Sequence, residues 1–211
     1  QVVLADEINR ATPKSQSALL EAMEENQVTV DGTTHLLERP FIVVATQNPI
    51  EYEGTFPLPE AQLDRFLIRV TLGYPEISEE LDIIERVEKE HPLSRLASVV
   101  TPADIISLQD ASISVYVDHV IKQYIVNIVE LTRHREQISL GASPRASIGL
   151  FHTCKALALI KGRDYVIPDD VKELATPVLA HRLVLSPAAR IAGVNAPQIV
   201  SDLLEFVPIP V

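Results

Sequence analysis

Residues 2–10, VVLADEINR, decide how the rest of the chain is read. Val2, Val3, Leu4 and Ala5 form a short apolar run of the kind expected for a strand buried in a parallel sheet, and the run stops at two adjacent carboxylates, Asp6 and Glu7. In open α/β sheets the ligand crevice lies at the carboxyl ends of the strands, so a strand ending in Asp-Glu delivers two acids to the place where a ligand sits. One acid suits a hard cation such as Mg²⁺, and the other suits activation of a nucleophilic water. A loop that happens to carry two acids has the same sequence, so the reading depends on what surrounds it.

Working outward, Thr12-Pro13 followed by KSQSALLEAMEEN predicts a helix to about Asn26, with a capping threonine and proline at its first position. Leu19, Leu20 and Met23 form its apolar stripe. Residues 27–37, QVTVDGTTHLL, place two β-prone arms around Asp31-Gly32 and predict a hairpin. Residues 41–46, FIVVAT, read as a buried central strand ending at Gln47-Asn48-Pro49. If that strand runs parallel to the first, Asn48 approaches Asp6 and Glu7 from the same sheet edge. There it is either a turn residue before proline or an amide that orients water or contacts a phosphate.

Residues 50–62, with Gly54, Pro57 and Pro59, are expected to be loop, followed by a short helix over 60–65 and a third strand over 66–72. Gly73-Tyr74-Pro75 marks a boundary, beyond which strands are expected to give way to helices. These are predicted over 78–90, 102–108, 115–135, 143–161, from Pro168 with a break or kink at Pro177, and over 197–206. Arg145 falls in the first turn of the helix opened by Ser143-Pro144. The helix dipole makes that a poor place for a cation, by roughly 0.3–1 kcal/mol, so an anion should compensate: a surface carboxylate or a bound phosphate.

These features together resemble the MoxR family of AAA+ ATPases. The matching segments are DEINRATPKSQSALLEAMEE (6–25), QVTVDG (27–32), FIVVATQNPIEYEGTFPLPEAQLDRF (41–66) and GASPRA (141–146). The resemblance implies an α/β plus all-α fold: part of a P-loop AAA+ parallel αβα core over residues 1–74, then a helical lid over 75–211. It also implies ATP and Mg²⁺ as ligands. Asp6, at the end of the Walker B strand, would hold Mg²⁺ and Glu7 would polarise water. Asn48 (sensor 1) and Arg145 (sensor 2) would contact the γ-phosphate, and Arg65 in LDRF would be an arginine finger reaching a neighbouring subunit. An ordinary surface ion pair is the other reading of Arg65. The hairpin at 27–37 would be the presensor insertion shared with magnesium chelatases. Such proteins form homo-oligomeric rings, usually hexamers, and act as chaperones on client proteins, often with von Willebrand factor A-domain partners.

The phosphate-cradling sequence G-x-x-x-x-G-K-[ST] is absent from the 211 residues. In the family it precedes the Asp-Glu strand, so the chain is expected to be the C-terminal part of a longer ATPase and inactive alone. The rival reading is a non-catalytic, AAA-derived oligomerisation module lacking that loop. A DNA-linked AAA+ motor is a third, but GTFPLPEAQ lacks the GAFTGA of sigma-54 activators, and a net charge of −11 without basic clusters argues against nucleic acid. No apolar run is long enough to span a membrane, no signal peptide is seen, and Cys154 stands alone, so a cytoplasmic protein without disulfides is expected. The six histidines show no zinc-ligand spacing.

Overall fold

The structure is a computed structural model, and it describes residues 1–48, 55–89, 93 and 96–210. β1 (Val2–Ala5) leads through a 3-10 turn over Ile8–Arg10 into α1 (Pro13–Glu25). Thr12 caps α1 by accepting the Ser15 amide at 3.4 Å, Pro13 takes the first position where its missing N–H is not needed, and Asn26 closes the helix with a left-handed φ of 49°. β2 (Gln27–Val30) and β3 (Thr33–Leu36) form the expected hairpin, with Val30 opposite Thr33. Asp31 and Gly32 between them both have positive φ, as two-residue primed turns require. β4 (Ile42–Ala45) then returns beside β1 in parallel, from Val2 opposite Ile42 to Ala5 opposite Ala45.

Two expectations for this part need correction. β1 and β4 have the composition of fully buried strands, yet Val2 is 73% and Leu4 65% exposed, with Ile42 and Val44 about half exposed. An apolar run records a preference for burial, and none of the described residues forms a layer over that face. Residues 66–72 are not a strand. The Phe66 amide bonds back to the carbonyl of Leu63 at 3.1 Å, and the Arg69 amide donates to the carbonyl of Pro177 at 2.9 Å, in a helix's last turn, where carbonyls lack partners within the helix.

α2 (Glu60–Leu63) is two residues shorter than expected, residues 55–59 are irregular, and the expected loop over 50–54, Gly54 included, lies outside the described residues. α3 (Ile77–Lys89) begins one residue before Ser78, and its expected end at Glu90 also lies outside them. α4 (Pro102–Ile113) runs five residues past the expected Leu108, opened by a reciprocal cap between Thr101 and Asp104. α5 (His119–Leu131) is shorter than the expected 115–135. Asp118 caps it through the Val120 amide at 3.0 Å, and the apolar residues before it instead lie extended, with Tyr116 exchanging main-chain bonds with Asp164 and Val166.

β5 (Ile138–Leu140), α6 (Pro144–Ile160), α7 (Pro168–Leu179), β6 (Val184–Leu185), α8 (Pro187–Ile191) and α9 (Ala196–Phe206) complete the described chain. Strands therefore do not end at Gly73: β5 and β6 pair antiparallel between helices. Both are too short for periodicity to reveal. Pro177 does not break α7, which continues to Leu179 and passes into a 3-10 turn over Ala180–Arg182. The main core lies in this helical part, where Tyr124, Ile128, Leu150, Cys154, Val171, Leu179 and Leu203 are 2% exposed or less. Among the described residues no helix is long and apolar enough to cross a membrane.

Candidate functional site

The parallel register of β1 and β4 brings three of the five singled-out residues to one sheet edge. The Thr46 hydroxyl, just past β4, donates to Asp6 Oδ1 at 2.6 Å and accepts the Glu7 amide at 2.8 Å, tying the two strand ends together. Asn48 Nδ2 donates to Glu7 Oε1 at 3.4 Å, while Glu7 Oε2 pairs with Arg10 Nε at 2.9 Å. Glu7 itself takes a left-handed backbone, φ 47°, unusual outside glycine, which turns the chain sharply away from the strand. Gln16, buried in α1, locks that turn by donating to the carbonyls of Ile8 at 3.1 Å and Phe56 at 2.9 Å.

Asp6 is exposed and its Oδ2 has no hydrogen bond among the described residues, so one hard oxygen donor faces solvent and would be available to a cation. Among the described residues no group of three or more His, Cys, Asp or Glu is arranged to hold a metal. Asp6 therefore fits a cation that keeps waters and substrate oxygens as its other ligands.

The two remaining residues meet elsewhere. Arg65 Nη1 pairs with Glu24 Oε2 and Arg145 Nη2 with Glu24 Oε1, so the two guanidiniums grip the two oxygens of one carboxylate. All three side chains stay between 33% and 45% exposed. Both arginines thus have the carboxylate partner that the simpler reading of each requires. The pairing also resolves two local misfits. An acid in the last turn of α1 and a cation in the first turn of α6 each oppose their own helix dipole, and each is compensated by the other. The loop into α6 is held in place from α5: Thr132 Oγ1 accepts the Ala142 amide at 2.9 Å, and Arg133 Nε donates to the Ala142 carbonyl at 3.0 Å. Gly141 permits this approach, since a Cβ there would lie 2.8 Å from the Arg133 main chain.

The residues flanking Arg65 are joined to the helical part. Ser143 Oγ donates to Asp64 Oδ2 at 2.9 Å, and Arg182 Nη2 donates to the carbonyls of Asp64 at 3.2 Å and Phe66 at 2.8 Å. His181 Nε2–H also donates to the Phe66 carbonyl, at 2.9 Å. Burial holds the His181 pKa below its ordinary 6.5; the Phe66 bond opposes the shift and the positive charges of Arg182 and Arg69 reinforce it. With the folded pKa depressed, the unfolded chain takes up this proton first as pH falls. The His181 contribution to stability is therefore complete above about 6.5 and is lost as pH drops toward the folded value. Thermal melts between about pH 5 and 8 check this. His181→Gln, which keeps a donor, should show a shallower acid slope than wild type; equal slopes would remove His181 as a source of acid sensitivity.

Sequence reading did not single out Thr46, Glu24, Asp64 or Arg182. Thr46 had a usable signal, a hydroxyl ending a strand that must lie beside an acidic strand end. Glu24 had another, an acid at the unfavourable end of a helix. Arg182 had none: apart from Val178, four residues before it, its carbonyl partners lie 118 and 116 residues away.

Known proteins resemble this chain along its whole length. The family described as "ATPase family associated with various cellular activities (AAA)" matches residues 1–68, and the "AAA lid domain" family matches residues 130–203. The "Uncharacterized protein YeaC" of Bacillus subtilis is 54% identical over 210 residues, covering 100% of this chain and 66% of that protein. "Chaperone MoxR1" of Mycobacterium tuberculosis is 44% identical, covering 99% of this chain and 57% of that protein. The crystal structure of a Cytophaga hutchinsonii protein proposed to be an ATPase superposes with a TM-score of 0.93 at 40% identity, covering 100% of this chain and 66% of that one. The chain thus spans 57 to 66% of the length of these three proteins. With the AAA and AAA lid families matching its two parts and MoxR proteins among its relatives, the chain belongs to the MoxR family of AAA+ ATPases.

Proposed function

We propose that this chain carries the hydrolytic strand edge and the intersubunit arginines of a Mg²⁺-dependent ATPase that works as a ring and remodels partner proteins. The observation that carries the reading is the parallel β1–β4 pair, which sets Asp6, Glu7 and Asn48 at one edge with Asn48 3.4 Å from Glu7. Asp6 holds Mg²⁺, which when bound neutralises charge on the phosphates. Glu7 accepts the proton of the attacking water, and Asn48 fixes one Glu7 oxygen and senses the γ-phosphate.

Arg65 acts as a finger on the adjacent subunit's nucleotide, and Arg145 joins it at the same γ-phosphate. Two features support that grouping. Both arginines already converge on one anion, Glu24. That anion lies roughly 12 Å along α1 from Gln16, the residue bonded to the turn after Glu7. The pair therefore sits further along α1 than the turn that follows Glu7. In this reading residues 1–74 are the C-terminal half of the AAA+ core and residues 75–211 the lid. The assembly is a cytoplasmic homo-hexamer acting on protein clients, von Willebrand factor A-domain proteins among them.

Phosphate release by the full-length protein, measured against Mg²⁺ concentration, tests the reading. Asp6→Asn should raise the Mg²⁺ needed for half-maximal turnover about 10-fold or more. Absence of turnover in wild type, or an unchanged Mg²⁺ requirement in the variant, would overturn it.

A further inference from the structure

We infer that Arg182 is a positioning residue for the Arg65 finger, a role that rests on the proposed ATPase reading and extends it into the lid. The side chain of Arg182 is 2% exposed, and its hydrogen bonds go to main-chain carbonyls. Nη1 donates to Val178 at 2.8 Å inside the helical part. Nη2 donates to Asp64 at 3.2 Å and Phe66 at 2.8 Å, the residues on either side of Arg65. Nε also lies 3.0 Å from Asp64 Oδ1, an ion pair without hydrogen-bond alignment. A planar guanidinium presents its donors in a rigid fork, so one side chain fixes the direction of the backbone from which the finger projects.

The arrangement around this contact is matched to it. Ser143 Oγ holds the other Asp64 oxygen two residues before Arg145, so the segments bearing both arginines are fastened to the same carboxylate. α6 carries a glycine where it passes the guanidinium. A Cβ on Gly149 would sit 3.4 Å from Arg182 Nη1 and 3.3 Å from Leu67 Cδ1. Glycine inside a helix is unfavourable, and here it leaves room for the clamp.

The consequence is that a subunit with a damaged clamp keeps a sound nucleotide site and presents a badly aimed finger. Misplacement of a positioned group by about 1 Å costs on the order of 10²-fold in rate. Full-length Arg182→Lys, which keeps the charge but loses the fork, should therefore lose about 10²-fold in kcat with KM for ATP nearly unchanged. Mixed into rings with Glu7→Gln subunits, which have intact fingers and dead sites, Arg182→Lys subunits should recover turnover. A purely structural role for Arg182 would give no such recovery.

Gly149→Ala provides a second variant if Arg182→Lys does not assemble. It favours the helix while setting a methyl 3.3 Å from Leu67 and 3.4 Å from the guanidinium, and should show the same defect in smaller degree with the same rescue. Wild-type kcat in the variant that assembles, or loss that Glu7→Gln subunits do not restore, overturns the proposal. Mixing Arg65→Ala with Glu7→Gln separates the layers. If that mixture recovers and the clamp variant's does not, the clamp is wrong and the finger stands; if neither recovers, the finger reading falls and the clamp with it.

Discussion

Arg65→Ala in the full-length ring is expected to lower ATP turnover about 10³- to 10⁵-fold, with nucleotide affinity and melting temperature close to wild type. The size follows from what a finger does: it stabilises charge that develops only as the phosphoryl group transfers, so its loss is felt in kcat and hardly in binding. Among the described residues the ion pair given up at the Arg65 guanidinium is the one with Glu24, about a third exposed, and such pairs contribute at most about 1 kcal/mol to stability. Steady-state kinetics, nucleotide titration and a thermal melt of one preparation test all three parts. Turnover within a few-fold of wild type would return Arg65 to a surface ion pair.

Glu7→Gln should reduce turnover about 10²- to 10⁴-fold while ATP stays bound, because glutamine keeps the shape and the contact with Asn48 but accepts no proton. A single-turnover experiment with preloaded ATP separates the steps: binding should persist and phosphate release should stall. Release at the wild-type rate would exclude Glu7 as the base. The substitution also removes the charge paired with Arg10, so Glu7→Gln compared with Arg10→Ala distinguishes loss of the base from loss of the ion pair.

Most of the fold was legible because its signals are local. The Thr12-Pro13 and Ser143-Pro144 starts, the Asp31-Gly32 turn and the helix expected over 197–206 each depend on neighbours within a few residues, and each element stands within a residue of its expected place. The errors came where structure depends on a distant partner. Residues 66–72 have strand composition but meet a helix end instead of a strand, and Val184-Leu185 becomes a strand only because Ile138–Leu140 lies beside it. The candidate site divides the same way. The meeting of Asp6, Glu7 and Asn48 follows from two strand ends and one assumption, that the strands run parallel. The meeting of Arg65 with Arg145 on Glu24 could not be foreseen, because three segments far apart in sequence contribute one side chain each.

The lone cysteine gives the molecule a built-in clock. Cys154 has no exposed surface at the centre of the helical part, and burial pushes its thiol up to about 12, so the thiolate that reacts with alkylating reagents is nearly absent in the closed molecule. Modification therefore has to wait for an opening of α5, α6 and α7. Its rate at neutral pH, relative to that of a free thiol, reports how often those openings are populated.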